Sequence, residues 1–159
     1  MPRIVHGLAV VFGFSVALLN SAAVKAEDTN VPSQFKYARL SCGADGETHF
    51  EDVITELKAT DFAPPAPPIH IGGELSASRW FLGGFEAGWG VHDLENRLNH
   101  PTPAIQFGVV LQGVFAITAT SGETRRLLPG AVFRLEDVAP CKGHITVVGD
   151  QTGFLMFLR

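Results

Sequence analysis

Two histidines and a glutamine give this chain its best opportunity for chemistry. His100 and Gln106 lie in "NHPTPAIQFGVVLQG", Asn99 to Gly113, with Pro101 and Pro103 between them, and His144 opens the apolar run "HITVV". Imidazole nitrogens bind divalent cations well, whereas an amide oxygen is a weaker donor than a carboxylate and a threonine hydroxyl such as Thr102 is a poor one. His100, Gln106 and His144 therefore suit either a divalent ion, with water completing the shell, or a hydrogen-bonding floor for a small polar molecule. The spacing assigns no catalytic residue.

Other polar and aromatic side chains are candidates for the surroundings of that site. His92 and Trp89 stand around the glycine-rich "GGFEAGWG" and join Thr102 as expected pocket-lining residues; a tryptophan at a pocket mouth can stack on a ring. His70 in "PPIHIGG" and His49 in "ETHFED" read better as backbone-bonded or surface histidines. Glu136-Asp137 is expected to end a strand and cap a turn, the alternative being to orient His144 from behind. Arg134 and Lys142 would meet an anionic ligand near the pocket.

The elements that must position these residues are strands. The chain has 159 residues, 46% hydrophobic and 18% charged, with 17 Gly, 12 Phe and 10 Pro, which suits one globular domain of short strands and tight turns. "QFKYARLSCGADGETHFEDVITELKATDF" predicts two strands around a turn at Gly43–Gly46. The prolines of "APPAPPIHIGG" exclude helix and central strand and predict an extended surface connection. "SASRWFLGGFEAGWG" reads as a strand and loop, and "VHDLENRLNHPTP" as one helical turn stopped by proline. From Gln106 onward "QFGVVLQG", "VFAITAT", "ETRRLL", "AVFRLED", "HITVV" and "FLMFLR" alternate with turns, two of them at Ser-Gly and Pro-Gly. In the first of these, alternation sets Gln106, Gly108 and Val110 on one face and Phe107, Val109 and Leu111 on the other. The pattern is all-β, an antiparallel sandwich or barrel.

"HPTPAIQFGVVLQG" followed by "ETRRLLPGAVFRLEDVAPCKGHITVVGD" resembles the two motifs of a small single-domain cupin. Gln106 stands where the first motif has a glutamate, six residues before Gly113; His100 matches the first histidine of the HxH pair, and Thr102 occupies the second. Pro129-Gly130 and His144 match the turn and histidine of the second motif, with a longer loop, "EDVAPCKG", between. The resemblance covers residues 99–150, and more loosely the rest, and implies a double-sheet jelly-roll barrel over 35–159. It also implies a divalent metal, Zn, Mn, Ni or Fe, and leaves two activities open. One is a metal-dependent enzyme acting on a small polar molecule, the other a metal-free ligand binder. A homodimer is a further arrangement that the resemblance allows.

The N-terminal 26 residues have Arg3, an apolar run from Gly7 to Leu19 and small residues up to Ala26, the layout of a signal peptide whose apolar core is short for a membrane span, the alternative being an uncleaved N-terminal anchor. The expected product is an exported protein, periplasmic or secreted, with a polar arm over 27–34 and no stable membrane insertion. Losing Arg3 and Lys25 leaves 10 basic against 16 acidic residues, a net charge of −6, and no basic patch, which argues against nucleic acid as a partner. In an oxidising compartment Cys42 and Cys141 most simply pair, worth about 4–5 kcal/mol by loop closure; the alternative is two buried thiols. GxSxG, HExxH, GxxxxGK[ST] and GxGxxG motifs are absent.

Overall fold

Short β-branched and aromatic runs between glycine turns become strands throughout. The computed structural model describes residues 33–74 and 76–159. The expected signal peptide, 1–26, and residues 27–32 of the expected arm lie outside the described residues. The elements, in order, are β1 (Gln34–Cys42), β2 (Thr48–Glu56), β3 (Lys58–Thr60), β4 (Ile69–Ile71), β5 (Trp80–Phe85), α1 (Val91–Asn96), β6 (Gln106–Gln112), β7 (Phe115–Ala119), β8 (Thr124–Leu127), β9 (Val132–Leu135), β10 (His144–Val148) and β11 (Gly153–Leu158).

Three sheets form. The largest has the order β2-β1-β9-β6-β11-β5, the second β10-β7-β8, and β3-β4 make a small hairpin. The proline-rich connection is thus less uniform than expected: its end, Ile69–Ile71, pairs with Lys58–Thr60, and the prolines occupy the exposed turn between. Pairing is antiparallel except for β1 on β9, where Ala38, Leu40 and their neighbours run parallel to Phe133–Leu135. The fold is all-β, two sheets closed over one core, the architecture that the strand pattern predicts.

Alternation decides what fills that core. Ala38 and Leu40 of β1, Val110 of β6, Phe133 and Leu135 of β9 and Leu155 of β11 face Phe115, Ile117 and Ala119 of β7 with Leu127 and Val148. Gln106, Gly108 and Val110 are buried while Phe107 and Val109 lie on the opposite, half-covered face, as the period-two pattern requires. Gly108 is there for space: a Cβ at this position would sit 2.1 Å from the ring of Phe133, its cross-strand partner.

The two cysteines are joined as Cys42–Cys141, with Cα atoms 6.0 Å apart. The bridge ties the end of β1 to the long loop before β10. Two further bonds run beside it, Lys142 N–H to the Gly46 carbonyl at 2.9 Å and the Lys142–Glu47 ion pair. Among the described residues no helix is long and apolar enough to cross a membrane.

Gly108→Ala forces the Phe133 ring to move within a packed core, and overpacking of this kind costs about 1–3 kcal/mol. Urea unfolding monitored by circular dichroism should show that loss in midpoint with an unchanged slope.

Candidate functional site

The loop between β9 and β10 delivers one histidine, and the segment before β6 delivers the other. His144 is the first residue of β10. His100 adds a single antiparallel bridge to it, with His100 N–H to the His144 carbonyl at 2.9 Å and His144 N–H to the His100 carbonyl at 3.0 Å. Gly143 makes this approach possible: its φ is +82°, and a Cβ would lie 2.2 Å from the His100 carbonyl carbon. Two residues on, Thr102 N–H donates to the Asp137 carbonyl at 3.2 Å. The segment 100–102 is therefore stitched to both ends of the loop.

The side chains form two polar pairs inside this frame, Asp137 with His144 and Gln106 with Thr102, joined through the Thr102–Asp137 backbone bond. His144 Nδ1 lies 2.6 Å from Asp137 Oδ2, and the two residues are 3% and 0% exposed. A neutral ring that donates Nδ1–H to a carboxylate carries its lone pair on Nε2. Gln106 donates from Nε2 to the Thr102 hydroxyl at 3.0 Å, and that hydroxyl donates to the Ala104 carbonyl at 3.1 Å. Gln106 Oε1 and Asp137 Oδ1 are buried without a hydrogen-bond partner. The His100 ring lies 4.8 Å from that of His144, tilted by 53°, and Trp89 stands edge-on to His100 at 6.3 Å. Burial holds the His100 pKa below the ordinary histidine value, and His144 adds to the effect.

The structure brings His100, His144 and Thr102 together, with Gln106 joined to them through Thr102 and Trp89 at the edge. His92 is elsewhere: its side chain is 77% exposed on α1, 3.5 Å from Asp93. His70 and His49 are exposed on β4 and β2. Arg134 faces outward with Val132, away from the cluster, because it alternates with buried Phe133 and Leu135. Asp137 corrects the sequence reading: it is not a turn cap but the carboxylate behind His144. The signal was the acid seven residues before that histidine, which the turn-capping reading outweighed.

Imidazole nitrogens and an amide oxygen are each able to donate to a small cation. Among the described residues no three His, Cys, Asp or Glu side chains converge on a point suited to a metal ion; two histidines and an amide would be one negative charge short of the usual facial triad. Asp137 supplies its charge through His144 rather than directly.

Asp137→Ala leaves the His144 N–H buried without an acceptor and should cost about 1–3 kcal/mol, read by chemical denaturation of chelator-treated protein. His100 in the same metal-free protein should titrate below its ordinary value of 6.5. The native state then resists a proton that the unfolded chain accepts. The His100 contribution to stability is intact above about pH 6.5 and is lost as pH falls towards the lower folded value. Histidine NMR titration checks the midpoint.

No protein-family model matches the chain, and no curated protein does. Among solved structures it is similar to one described as an ethanolamine utilization protein Q from Salmonella typhimurium, 14% identical, covering 80% of this chain and 96% of that one, with a TM-score of 0.34. The fold assignment accordingly rests on the strands and sheets themselves, an all-β double-sheet domain in which half-buried His100 bridges buried His144.

Proposed function

We propose that this is an exported cupin-type domain whose His100 and His144 hold a divalent cation, with the Gln106 amide oxygen as third donor. The observation that carries the reading is the Asp137–His144 pair: a fully buried carboxylate fixes the ring so that Nε2 faces away from it as a lone pair, the usual support for a metal-bound histidine. The depressed His100 pKa adds a second neutral imidazole at neutral pH. The partnerless Gln106 Oε1 needs an occupant of the size of an ion or a water, since leaving it bare costs about 1–3 kcal/mol. The Cys42–Cys141 bridge supports an oxidising compartment.

When bound, a divalent ion would act as a Lewis acid that polarises an oxygen of a small polar substrate. The chain's own contribution is to hold the His144 ring against Asp137 and to set Trp89 edge-on to His100. Replacing a carboxylate by Gln106 favours ions held by imidazole, such as Zn or Ni, over redox-tuned iron. The second reading, a metal-free barrel that binds a small molecule on the same polar floor, is favoured by one observation: among the described residues no three His, Cys, Asp or Glu side chains converge on a metal-suited point.

Elemental analysis of the purified, exported protein separates the two. The metal reading predicts near-stoichiometric metal in the wild type, loss of it in His100→Ala/His144→Ala, and tighter binding in Gln106→Glu, which restores the negative charge. Chelation should then lower the melting temperature through mass action. A wild type without metal, or a double variant that keeps it, would overturn the metal reading.

A further inference from the structure

The loop that carries Asp137 and leads into His144 changes character along its length. Asp137, Gly143 and His144 are buried at its two ends, whereas Ala139, Pro140 and Lys142 between them are exposed. Cys141 holds this exposed middle through its bond to Cys42, 99 positions away in sequence, at the end of β1. Both cysteines are half-buried, and Gly43, Ala44 and Asp45 beside Cys42 are exposed as well. The bridge thus lies at the surface, where an external thiolate can attack it.

The ties that remain without the bridge are weak or lie at one end. Exposed Lys142 donates its N–H to the Gly46 carbonyl at 2.9 Å, and its ion pair with Glu47 is of the surface kind that is worth little. The Cys141 N–H bond, 3.1 Å, returns to Val138 inside the loop and anchors it to nothing. The Thr48 hydroxyl holds only Gly143, the last residue before β10, at 2.8 Å. With two cysteines in the whole chain, the bridge is the one covalent cross-link available to this loop. A cross-link that closes so long a segment restricts the open ensemble strongly.

We propose that Cys42–Cys141 is a redox latch for the candidate site. Closed, it seats Asp137 against His144; opened by a dithiol, it frees loop 136–143 and lets water reach the pair. Opening is thiol–disulfide exchange: a thiolate of the dithiol attacks one sulfur, the Cys42–Cys141 bond breaks, and the second thiol of the reagent resolves the mixed disulfide. The protein gains two electrons and two protons as two cysteine thiols, and the dithiol leaves as its own disulfide. The latch acts on the Asp137–His144 pair and does not depend on a cation at His100 and His144.

Ring ¹⁵N NMR and amide hydrogen exchange on the purified, metal-free protein, with and without dithiothreitol, test it. The untreated protein should show His144 as the single Nδ1–H tautomer. The reduced protein should keep its β-sheet circular dichroism and the slow exchange of core amides such as Val110. Its Lys142 and His144 amides should exchange at least roughly tenfold faster, and the His144 ring should divide between both tautomers. Cys42→Ser/Cys141→Ser should give the reduced pattern with or without dithiothreitol. A folded, reduced protein that keeps the oxidised tautomer and exchange pattern would overturn the latch. Unfolding of the whole domain on reduction would overturn it equally, by making the bridge a staple of the fold rather than of the site. An untreated protein without the Nδ1–H tautomer would overturn the Asp137–His144 pair itself, and the latch with it.

Discussion

A carboxylate shielded from water and bonded to a nearly buried imidazole constrains everything around it. Removing a carboxylate from water costs several kcal/mol per ion even after relaxation, so Asp137 persists only because His144 is held against it at 2.6 Å. Neither residue lies deep in a regular strand: Asp137 follows β9 and His144 begins β10, with six residues between. The geometry therefore depends on what fixes that loop.

Three independent ties do so. The disulfide anchors Cys141 to the end of β1, Lys142 bonds the turn between β1 and β2, and the Thr48 hydroxyl donates to the Gly143 carbonyl at 2.8 Å. On the other side, segment 100–102 bridges both loop ends through His144 and Asp137. A loop of this length would otherwise sample many conformers, and ordering each residue costs about 1–2 kcal/mol. The β1–β2 hairpin, remote in sequence from either histidine, thus serves the site as its clamp.

Much of this was legible in the residues. Period-two alternation set Gln106 inward and Phe107 outward, and the glycine turns marked the strands around β1, β2 and β5 to β11. The cysteine pair and the convergence of His100 with His144 also followed from the sequence, the last through the motif resemblance. What stayed hidden depended on tertiary contact. The β3–β4 hairpin is three residues a side, too short for a periodic signal, and its prolines argued for a plain connection. Asp137 looked like a turn residue because acids at strand ends usually are; only the packing of the loop removes it from water. His92 was credited for nearness in sequence, but α1 turns it to solvent.

The account turns on which nitrogen of His144 is left free. Long-range ¹H–¹⁵N NMR of ring-labelled, chelator-treated protein reports it directly, since protonated and unprotonated ring nitrogens differ strongly in shift. The Asp137–His144 pair predicts that the neutral ring carries its proton on Nδ1 and leaves Nε2 bare, unchanged in His100→Ala and lost in Asp137→Ala. A proton on Nε2 in the wild type, with Nδ1 bare, would contradict it and remove the basis for a cation between the two histidines.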